Sequence, residues 1–224
     1  MVAHVQNALI IGASGGIGGA LANALEARGT TVMRLSKSGD GLDITDQASV
    51  DRALSATDEH FDYVIVASGI LSPKGTGPEK SLDAIDAVAM AQVMAINAIG
   101  PALILCHAPR LLSRTGRSVV AVLSARVGSI GDNGLGGWYS YRASKAAVNQ
   151  IVRTAAIEIG RKRKDAIVVA LHPGTVETDF TREYPDHRKV TAAQAAQNLL
   201  RVIDELEPEQ SGGFYDWSGE TVPW

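Results

Sequence analysis

Short apolar runs alternate with longer stretches of mixed polarity along the chain. The short runs are rich in Val, Ile and Leu at successive positions, which is typical of strands buried on both faces of a sheet. They predict strands at Ala8–Ile11, Thr31–Leu35, Tyr63–Ala67, Ser118–Leu123 and Ala166–Leu171, with a last strand near Phe214. The longer stretches predict helices at Gly16–Arg28, Ala48–Thr57, Ser81–Leu112, Tyr139–Arg161 and Ala192–Leu206.

This alternation predicts a parallel sheet with helices on both faces, because the connections between parallel strands must cross over the sheet. No internal repeat, low-complexity segment or linker divides the 224 residues. We therefore expect residues 1–224 to form one doubly wound α/β domain.

Composition and charge narrow the classes of function. The 21 Lys and Arg residues against 24 Asp and Glu residues give a net charge of -3, which argues against a nucleic-acid-binding face or a polybasic membrane anchor. The single cysteine, Cys106, excludes a disulfide framework, and the five histidines show no metal-ligand spacing, so no metal site is expected. The N-terminus lacks the pattern of a signal peptide, and we expect a cytoplasmic protein.

One uncharged stretch, Ala87–Pro109, is long enough to be considered as a membrane span. It contains Gln92, Asn97 and the pair Gly100-Pro101, which suit a lone lipid-facing helix poorly. The sequence therefore favours a helix buried in a protein core and no membrane association.

A glycine-rich turn follows the first predicted strand and opens the first helix, with the sequence Gly12-Ala13-Ser14-Gly15-Gly16-Ile17-Gly18. Glycines allow a tight turn and a close approach of the backbone to a pyrophosphate, and the helix N-terminus supplies free N–H groups with a partial positive charge. In this strand-turn-helix context the pattern predicts a dinucleotide site.

A tyrosine and a lysine, Tyr141 and Lys145, stand four residues apart and therefore on one face of a predicted helix. A nearby ammonium favours the phenolate and is expected to lower the pKa of Tyr141 towards the range in which it exchanges protons. Tyr139 lacks such a partner, because position 143 is alanine. The pair predicts acid–base chemistry at Tyr141.

Together, the glycine spacing G-x-x-x-G-x-G and the later Tyr-x-x-x-Lys resemble the short-chain dehydrogenase/reductase family over nearly the whole chain. The segments Gly136-Gly137-Trp138-Tyr139 and Gly213–Trp224 look like its C-factor-like and sniffer-type carbonyl reductase branch. The resemblance implies a Rossmann-type fold and hydride transfer between a nicotinamide cofactor and a carbonyl or alcohol carbon of a small substrate. It also implies a homodimer or homotetramer.

The same resemblance assigns site residues. Tyr141 would protonate the carbonyl oxygen, Lys145 would hold the nicotinamide ribose, and Asn97 would hold a water that links Lys145 to solvent. The implied cofactor contacts are Gly12, Ser14, Gly15, Gly16, Ile17, Gly18, Asp43, Ile44, Ser68, Gly69, Asn97, Tyr141, Lys145, Pro173, Gly174, Val176 and Thr178.

The family also needs a hydroxyl at the end of the strand before the active-site loop, to steady the charge on the substrate oxygen. Measured back from Gly128, the family's serine falls on Ala125, which has no hydroxyl. Ser124 is one residue earlier and Ser129 lies beyond the strand. We place Ser124 first, since a bulge at a strand end can re-aim a side chain; Ser129, or loss of the role, are the alternatives.

The end of the second strand favours NADP(H) over NAD(H). Enzymes that use NAD place an acid there for the ribose 2′-OH, whereas this chain continues into Ser36-Lys37-Ser38. A lysine and two hydroxyls suit a 2′-phosphate. Arg34 is a second candidate for this contact, although strand alternation can turn it away. Asp40 also falls near the distance at which enzymes that use NAD place their acid, but it stands between Gly39 and Gly41 and is expected to lie in a loop.

Two functions from different classes follow. The first is an NADP(H)-dependent oxidoreductase, and the alternative is an NADP(H)-binding regulatory or signalling protein with little or no turnover. The segment after Thr178, up to about Thr191, is expected to cover the substrate because loops at the carboxyl ends of strands form the site in this fold.

Overall fold

The structure, a computed structural model, describes residues 6–181 and 189–224. Within these residues, six strands form one sheet in which all neighbours are parallel. The strands are β1 (Asn7–Ile11), β2 (Thr31–Leu35), β3 (Tyr63–Val66), β4 (Ser118–Leu123), β5 (Ala166–His172) and β6 (Phe214–Asp216). Their order is β2-β1-β3-β4-β5-β6. The sheet changes its direction of growth between β1 and β3, where such folds bind ligands beyond the carboxyl ends of the strands.

Helices cover both faces of this sheet, as the sequence predicts. They are α1 (Gly16–Ala27), α2 (Lys37–Asp40), α3 (Gln47–Ser55), α4 (Ala87–Met94), α5 (Gly100–Leu111), α6 (Tyr139–Lys162) and α7 (Ala192–Glu205). The predicted bounds agree to within two residues for the first five strands and for α1, α3, α6 and α7. The doubly wound α/β fold is confirmed.

Alternate residues of the central strands pack into two apolar cores. On β3, Val64 and Val66 join the core under α3, α5 and α6, whereas Tyr63 and Ile65 join the core under α1 and α7. Successive side chains of a strand point to opposite faces, so a strand buried on both faces needs apolar residues at every position. This requirement explains the continuous apolar runs in the sequence.

The prediction of one continuous helix over Ser81–Leu112 is wrong. A short 3-10 turn at Leu82–Ala84 precedes α4, and a π-helical turn, Ala95–Ile99, separates α4 from α5. The side chain of Asp86 caps α4 by accepting a hydrogen bond from the N–H of Ala89 at 2.8 Å. π-Turns within helices occur often at functional sites, and this one contains Asn97.

The run Ala87–Leu111 is apolar and long enough to cross a membrane by length and composition, but in this fold one side of it packs against α6. The expectation that it is buried in a core is wrong for its other side. Val88 is 76% exposed and Ile99 is 51% exposed, and Cys106 is exposed as well. The sequence did not distinguish the exposed side from the buried side, because the residues on both sides of the run are apolar.

The segment around Asp40, predicted as a loop, forms the four-residue helix α2. Ser36 is its N-cap, and its hydroxyl accepts a hydrogen bond from the N–H of Gly39 at 3.0 Å. The helix ends at Gly41, whose φ of 72° is the left-handed conformation that glycine adopts without strain. The turn keeps Ser36 and Lys37 at the carboxyl end of β2.

Candidate active site

The glycine turn between β1 and α1 makes a closely packed backbone surface. Gly12 has a φ of 87°, and a Cβ there would lie 2.8 Å from the main-chain nitrogen of Ser68. A Cβ on Gly18 would overlap the main-chain oxygen of Gly12. Gly15 caps α1 without a side chain, and Ile17 packs against the core under the helix. The exposed first turn of α1 can therefore receive a phosphate.

A cleft of about 430 Å³ opens beside this turn, between the segments that follow β1 and β3. Many of the predicted cofactor residues line it: Gly12, Ser14, Gly15, Ser36, Lys37, Asp43, Ile44, Ser68 and Gly69. The hydroxyl of Ser68 is buried and has no hydrogen-bond partner within the described chain. A buried hydroxyl without a partner is costly unless a ligand satisfies it, so the cleft fits a polar dinucleotide.

Two of the residues that line the cleft, Lys37 and Asp43, form an ion pair. The Nζ of Lys37 lies 2.6 Å from the Oδ2 of Asp43. The bond from Lys37, followed by bonds from the hydroxyl and N–H of Thr45, lowers the pKa of Asp43 to about 2. The side chain of Lys37 is largely exposed, so this ion pair is accessible to solvent.

Arg34 points away from the cleft. It pairs with Ile10 across β1 and β2, and Ile10 faces the core under α1. The guanidinium contacts both carboxylate oxygens of Glu26, at 3.0 and 2.8 Å, and the side-chain oxygen of Asn23 at 2.7 Å. Strand alternation has turned it towards α1, so its predicted contact with the cofactor has no geometric support.

Asp40, the acid near the position that enzymes using NAD reserve for one, is also engaged in a hydrogen bond. Its Oδ2 accepts a hydrogen bond from the N–H of Ser36 at 3.2 Å. The carboxylate therefore holds the short α2 turn together.

Asn97 directly follows Ala95 and Ile96, which line the cleft, and is itself fully buried. Its Oδ1 accepts from the N–H of Ile70 at 2.8 Å, and its Nδ2 donates to the oxygen of Ile70 at 2.8 Å and to the hydroxyl of Ser144 at 3.0 Å. The side chain thus ties the π-turn to the segment after β3 and to α6. A water held by Asn97 would have to bind its main chain.

Gly69 allows the catalytic candidates to approach one another. A Cβ at this position would lie 3.2 Å from the Oδ1 of Asn97 and 3.5 Å from the Nζ of Lys145. The segment after β3 therefore passes directly beside both side chains.

Tyr141 and Lys145 are buried together on α6. The Nζ of Lys145 lies 5.8 Å from the centre of the Tyr141 ring and donates to the main-chain oxygen of Leu123 at 2.9 Å. Gly128 makes room for the lysine, since a Cβ there would lie 2.7 Å from the Cβ of Lys145. The two groups that the sequence pairs are therefore neighbours in the site.

Burial is the main cause of the pKa shifts of Tyr141 and Lys145. It lowers the pKa of Lys145 to about 8 and raises the pKa of the Tyr141 phenol above its ordinary value. The expectation that Lys145 lowers the pKa of Tyr141 is thus not met here, because loss of solvation disfavours the phenolate. Tyr141 is a protonated donor at neutral pH.

Both candidate serine hydroxyls hold structural bonds. The Oγ of Ser124 donates to the Oδ1 of Asn149 at 2.6 Å, and the Oγ of Ser129 accepts from the N–H of Asp132 at 3.1 Å. The expected bulge is absent, because β4 and β5 pair without an inserted residue up to Leu123 and the N–H of Ser124 continues the ladder. The role of Ser124 stays a prediction.

The loop after β5 carries the predicted residues Pro173, Gly174, Val176 and Thr178 to the same edge of the sheet. A Cβ on Gly16 would lie 2.8 Å from the Cγ2 of Thr178, so this loop touches the glycine turn. Val176 is buried. Of the predicted substrate segment, residues 182–188 lie outside the described residues.

Two aromatic side chains lie beside the phenol. Phe180 belongs to the segment after Thr178 that the sequence predicts to cover the substrate, whereas the place of Trp138 was not predicted. The ring centre of Phe180 lies 5.7 Å and that of Trp138 lies 6.2 Å from the ring centre of Tyr141. Trp217 lies against Gly174, where a Cβ would be 3.0 Å from its Cδ1. The sequence signal that could have pointed to Trp138 was its place between Gly136-Gly137 and the start of α6.

A further buried polar group stands near this edge. Burial lowers the pKa of His172, the last residue of β5, to about 4, and its Nδ1 has no hydrogen-bond partner in the described residues. His172 is therefore neutral at physiological pH.

Comparison with known proteins identifies relatives of this chain. Residues 37–213 match the family described as enoyl-(acyl carrier protein) reductase. The chain is 33% identical to the 1-hydroxy-2-glutathionyl-2-methyl-3-butene dehydrogenase of Rhodococcus sp., covering 98% of this chain and 100% of that protein. It is 38% identical to the C-signal of Myxococcus xanthus, covering 64% of this chain and 84% of that protein.

Solved structures agree in fold. The carbonyl reductase Sniffer of D. melanogaster superposes with a TM-score of 0.80 at 20% identity, covering 99% of this chain and 100% of that one. A short-chain dehydrogenase/reductase from Burkholderia multivorans with bound NADP gives a TM-score of 0.81 at 25% identity, covering 99% and 100%. The resemblance read from the glycine turn and the Tyr-Lys pair is confirmed. The chain belongs to the short-chain dehydrogenase/reductase family and is an oxidoreductase.

Proposed function

We propose that the protein transfers hydride between NADP(H) and the carbonyl or alcohol carbon of a small molecule. One observation carries this proposal: Tyr141 and Lys145 are buried side by side on α6, and Gly69, which lines the cofactor cleft, passes beside the Nζ of Lys145 and the Oδ1 of Asn97. This arrangement supports Tyr141 as a proton donor next to the cleft.

The residues of the site have separate roles in carbonyl reduction. Bound NADP(H) supplies the hydride, and the glycine turn, Ser68 and Lys37 would hold its phosphates and ribose. Tyr141, protonated at neutral pH, donates the proton of its phenol to the carbonyl oxygen. Lys145 offers its ammonium to the cofactor ribose and keeps positive charge beside the phenolate that forms.

The surroundings of Tyr141 favour a substrate with an apolar group next to its carbonyl. The rings of Phe180 and Trp138 lie beside the phenol ring of Tyr141, tilted from it by 59° and 65°. An apolar substituent would lose water on entering such a site, which favours binding.

The preference for NADP(H) rests on Ser36 and Lys37 at the end of β2. Both line the cleft, and the nearest acids are engaged, Asp40 by the N–H of Ser36 and Asp43 by Lys37 itself. The Burkholderia relative with bound NADP supports the same choice. Dissociation constants for NADPH and NADH, measured by cofactor fluorescence, test it; tighter binding of NADH would contradict it.

The test of the activity is a panel of aldehydes, ketones and quinones offered with NADPH. Tyr141→Phe removes only the hydroxyl, and Tyr139→Phe is a matched control two residues away. We expect Tyr141→Phe to lose turnover by a factor of about 100 or more while NADPH binding stays, and Tyr139→Phe to keep it. Full turnover by Tyr141→Phe would overturn the mechanism.

The same panel of compounds also tests the alternative function. Tight NADPH binding without turnover on any compound would support a regulatory or signalling protein. The comparisons do not favour that alternative, because the family model and the Rhodococcus relative are both named for enzymes that carry out redox chemistry.

The remaining expectations stay proposals. We propose one domain over residues 1–224, a cytoplasmic location, no nucleic-acid, membrane or metal partner, and a homodimer or homotetramer. The exposed apolar side of the run Ala87–Leu111, which includes Val88 and Ile99, supports the assembly.

A further inference from the structure

Glu79 contacts the start of α6 at three points, although it lies in the segment after β3. Its main-chain oxygen accepts from the N–H of Trp138 at 2.5 Å. Its carboxylate accepts from the N–H of Ser140 at 3.2 Å and also from the hydroxyl of Ser140. Ser140 immediately precedes Tyr141.

These contacts replace a missing cap. Trp138 is the N-cap residue of α6 and makes no side-chain cap, so the first N–H groups of the helix need another acceptor. A carboxylate at a helix N-terminus also interacts favourably with the helix dipole. Glu79 supplies both the acceptor and the charge from 61 residues away.

The backbone that Glu79 holds is strained. Trp138 has a φ of 53°, and within the described residues it is the non-glycine residue with a positive φ. Gly136 and Gly137 before it have φ values of 65° and 66°. Arg142 donates to the oxygens of both glycines, at 3.2 and 3.0 Å. Gly136, Gly137 and Trp138 thus form a left-handed run. Arg142 holds this run at the carbonyl groups of the two glycines, and the main-chain oxygen of Glu79 holds it at the N–H of Trp138.

We propose that Glu79 is a positioning residue for the phenol of Tyr141. Tyr141 lies in the first turn of α6, which Glu79 caps, whereas Lys145 lies one turn further on and is held independently by the oxygen of Leu123. The other end of the same segment is bonded to Asn97 through Ile70. The segment from Ile70 to Glu79 thus joins Asn97 to the helix start that carries the proton donor.

This inference rests on the proposed function, and it makes a separable prediction. Loss of the Glu79 carboxylate frays the first turn of α6 and displaces Tyr141, but it leaves Lys145 and the glycine turn in place. Turnover should therefore fall while NADPH binding stays.

The experiment compares Glu79→Ala and Glu79→Gln in the full chain. We expect Glu79→Ala to lower kcat between about tenfold and a hundredfold, the range for a slightly misplaced reacting group, with the Kd of NADPH changed less than about twofold. Glu79→Gln keeps an oxygen that can accept from the N–H of Ser140, so it should restore most of kcat.

A matched control removes a carboxylate cap elsewhere. Asp46 caps α3 by accepting from the N–H of Ala48 at 3.0 Å, and α3 carries none of the predicted site residues. Asp46→Ala should lower thermal stability and leave kcat unchanged. A Glu79→Ala enzyme with normal kcat, or one that loses kcat and NADPH affinity by the same factor, would overturn the proposal.

Amide hydrogen exchange gives a readout without turnover. The amide of Ser140 should be protected in the parent chain and exchange faster in Glu79→Ala, and unchanged exchange would contradict the proposal. If the parent chain reduces no carbonyl compound, the proposed function fails by itself, and the exchange of Ser140 still decides whether Glu79 holds the helix start.

Discussion

The ammonium of Lys145 donates to the main-chain oxygen of Leu123 at 2.9 Å, so a side chain of α6 is bonded to the last residue of β4. This bond joins the helix that carries Tyr141 to the centre of the sheet. Because it involves a charged group in a buried place, it also makes the stability of the protein sensitive to pH.

The free energy of unfolding without cofactor should rise between about pH 8 and pH 10.5, the folded and ordinary pKa values of Lys145. In this range the folded state binds fewer protons than the unfolded state, so raising the pH favours folding. Lys145→Met removes this titration, and the difference between the two proteins should change by a few kcal/mol, at about 1.4 kcal/mol per pKa unit.

Denaturant titrations of both proteins at several pH values measure this difference. The raised pKa of Tyr141 acts in the opposite direction, since the folded state then holds the extra proton, but only above about pH 10, where the phenol ordinarily ionises. Parallel stability curves for the parent chain and Lys145→Met below that pH would contradict the prediction.

Lys37→Ala should weaken NADPH binding about tenfold or more, since a hydrogen bond between charged groups contributes about 1.5–3 kcal/mol. NADH binding should change little, because NADH has no 2′-phosphate. Arg34→Ala is the matched comparison, and we expect a smaller effect because Arg34 is bonded to Glu26 and Asn23. Cofactor fluorescence measures both. A larger effect of Arg34→Ala would show that the arginine turns towards the cofactor.

Ser124→Ala should reduce turnover more than Ser129→Ala if Ser124 supplies the catalytic hydroxyl. It should also destabilise the protein by about 1–2 kcal/mol, because the buried side chain of Asn149 loses a bond. Kinetics and denaturant unfolding separate the two effects. Unchanged turnover in Ser124→Ala beside a loss in Ser129→Ala would move the role to Ser129. A gain of turnover in Ala125→Ser would show that position 125 is where the hydroxyl acts.

Light scattering at micromolar concentration should show a dimer or tetramer. Val88→Asp places a charge on the exposed apolar side of α4 and should dissociate the assembly if that side is the interface. Leu135→Asp is the control, since Leu135 is 94% exposed and belongs to the loop before α6 rather than to the apolar helix. A monomeric parent chain would remove the prediction.

Much of the fold and part of the site could be predicted from sequence because they depend on local patterns. Strands buried on both faces need apolar residues at every position, and such runs place β1 to β5 with small errors. The glycines between β1 and α1 and the four-residue spacing of Tyr141 and Lys145 are also local. These features alone were sufficient to predict the family.

Other features were decided by contacts between residues that are distant in sequence. The long helix predicted at Ser81–Leu112 contains a π-turn at Asn97, whose amide bonds to the main chain of Ile70. Arg34 lies against Glu26 because β2 packs beside α1. Desolvation, which exists only in the folded protein, raises the pKa of Tyr141 where the lysine spacing predicted the opposite.

Glu79 shows this division most clearly. In the sequence it is one of several acids in a polar segment after β3, and no spacing relates it to Tyr141. Only the packing of that segment against the start of α6 brings its carboxylate to Ser140. The local pattern therefore determined which residues we propose for the chemistry. Tertiary packing determined which residues contact them, because a helix end takes its missing acceptor from whatever part of the chain packs against it.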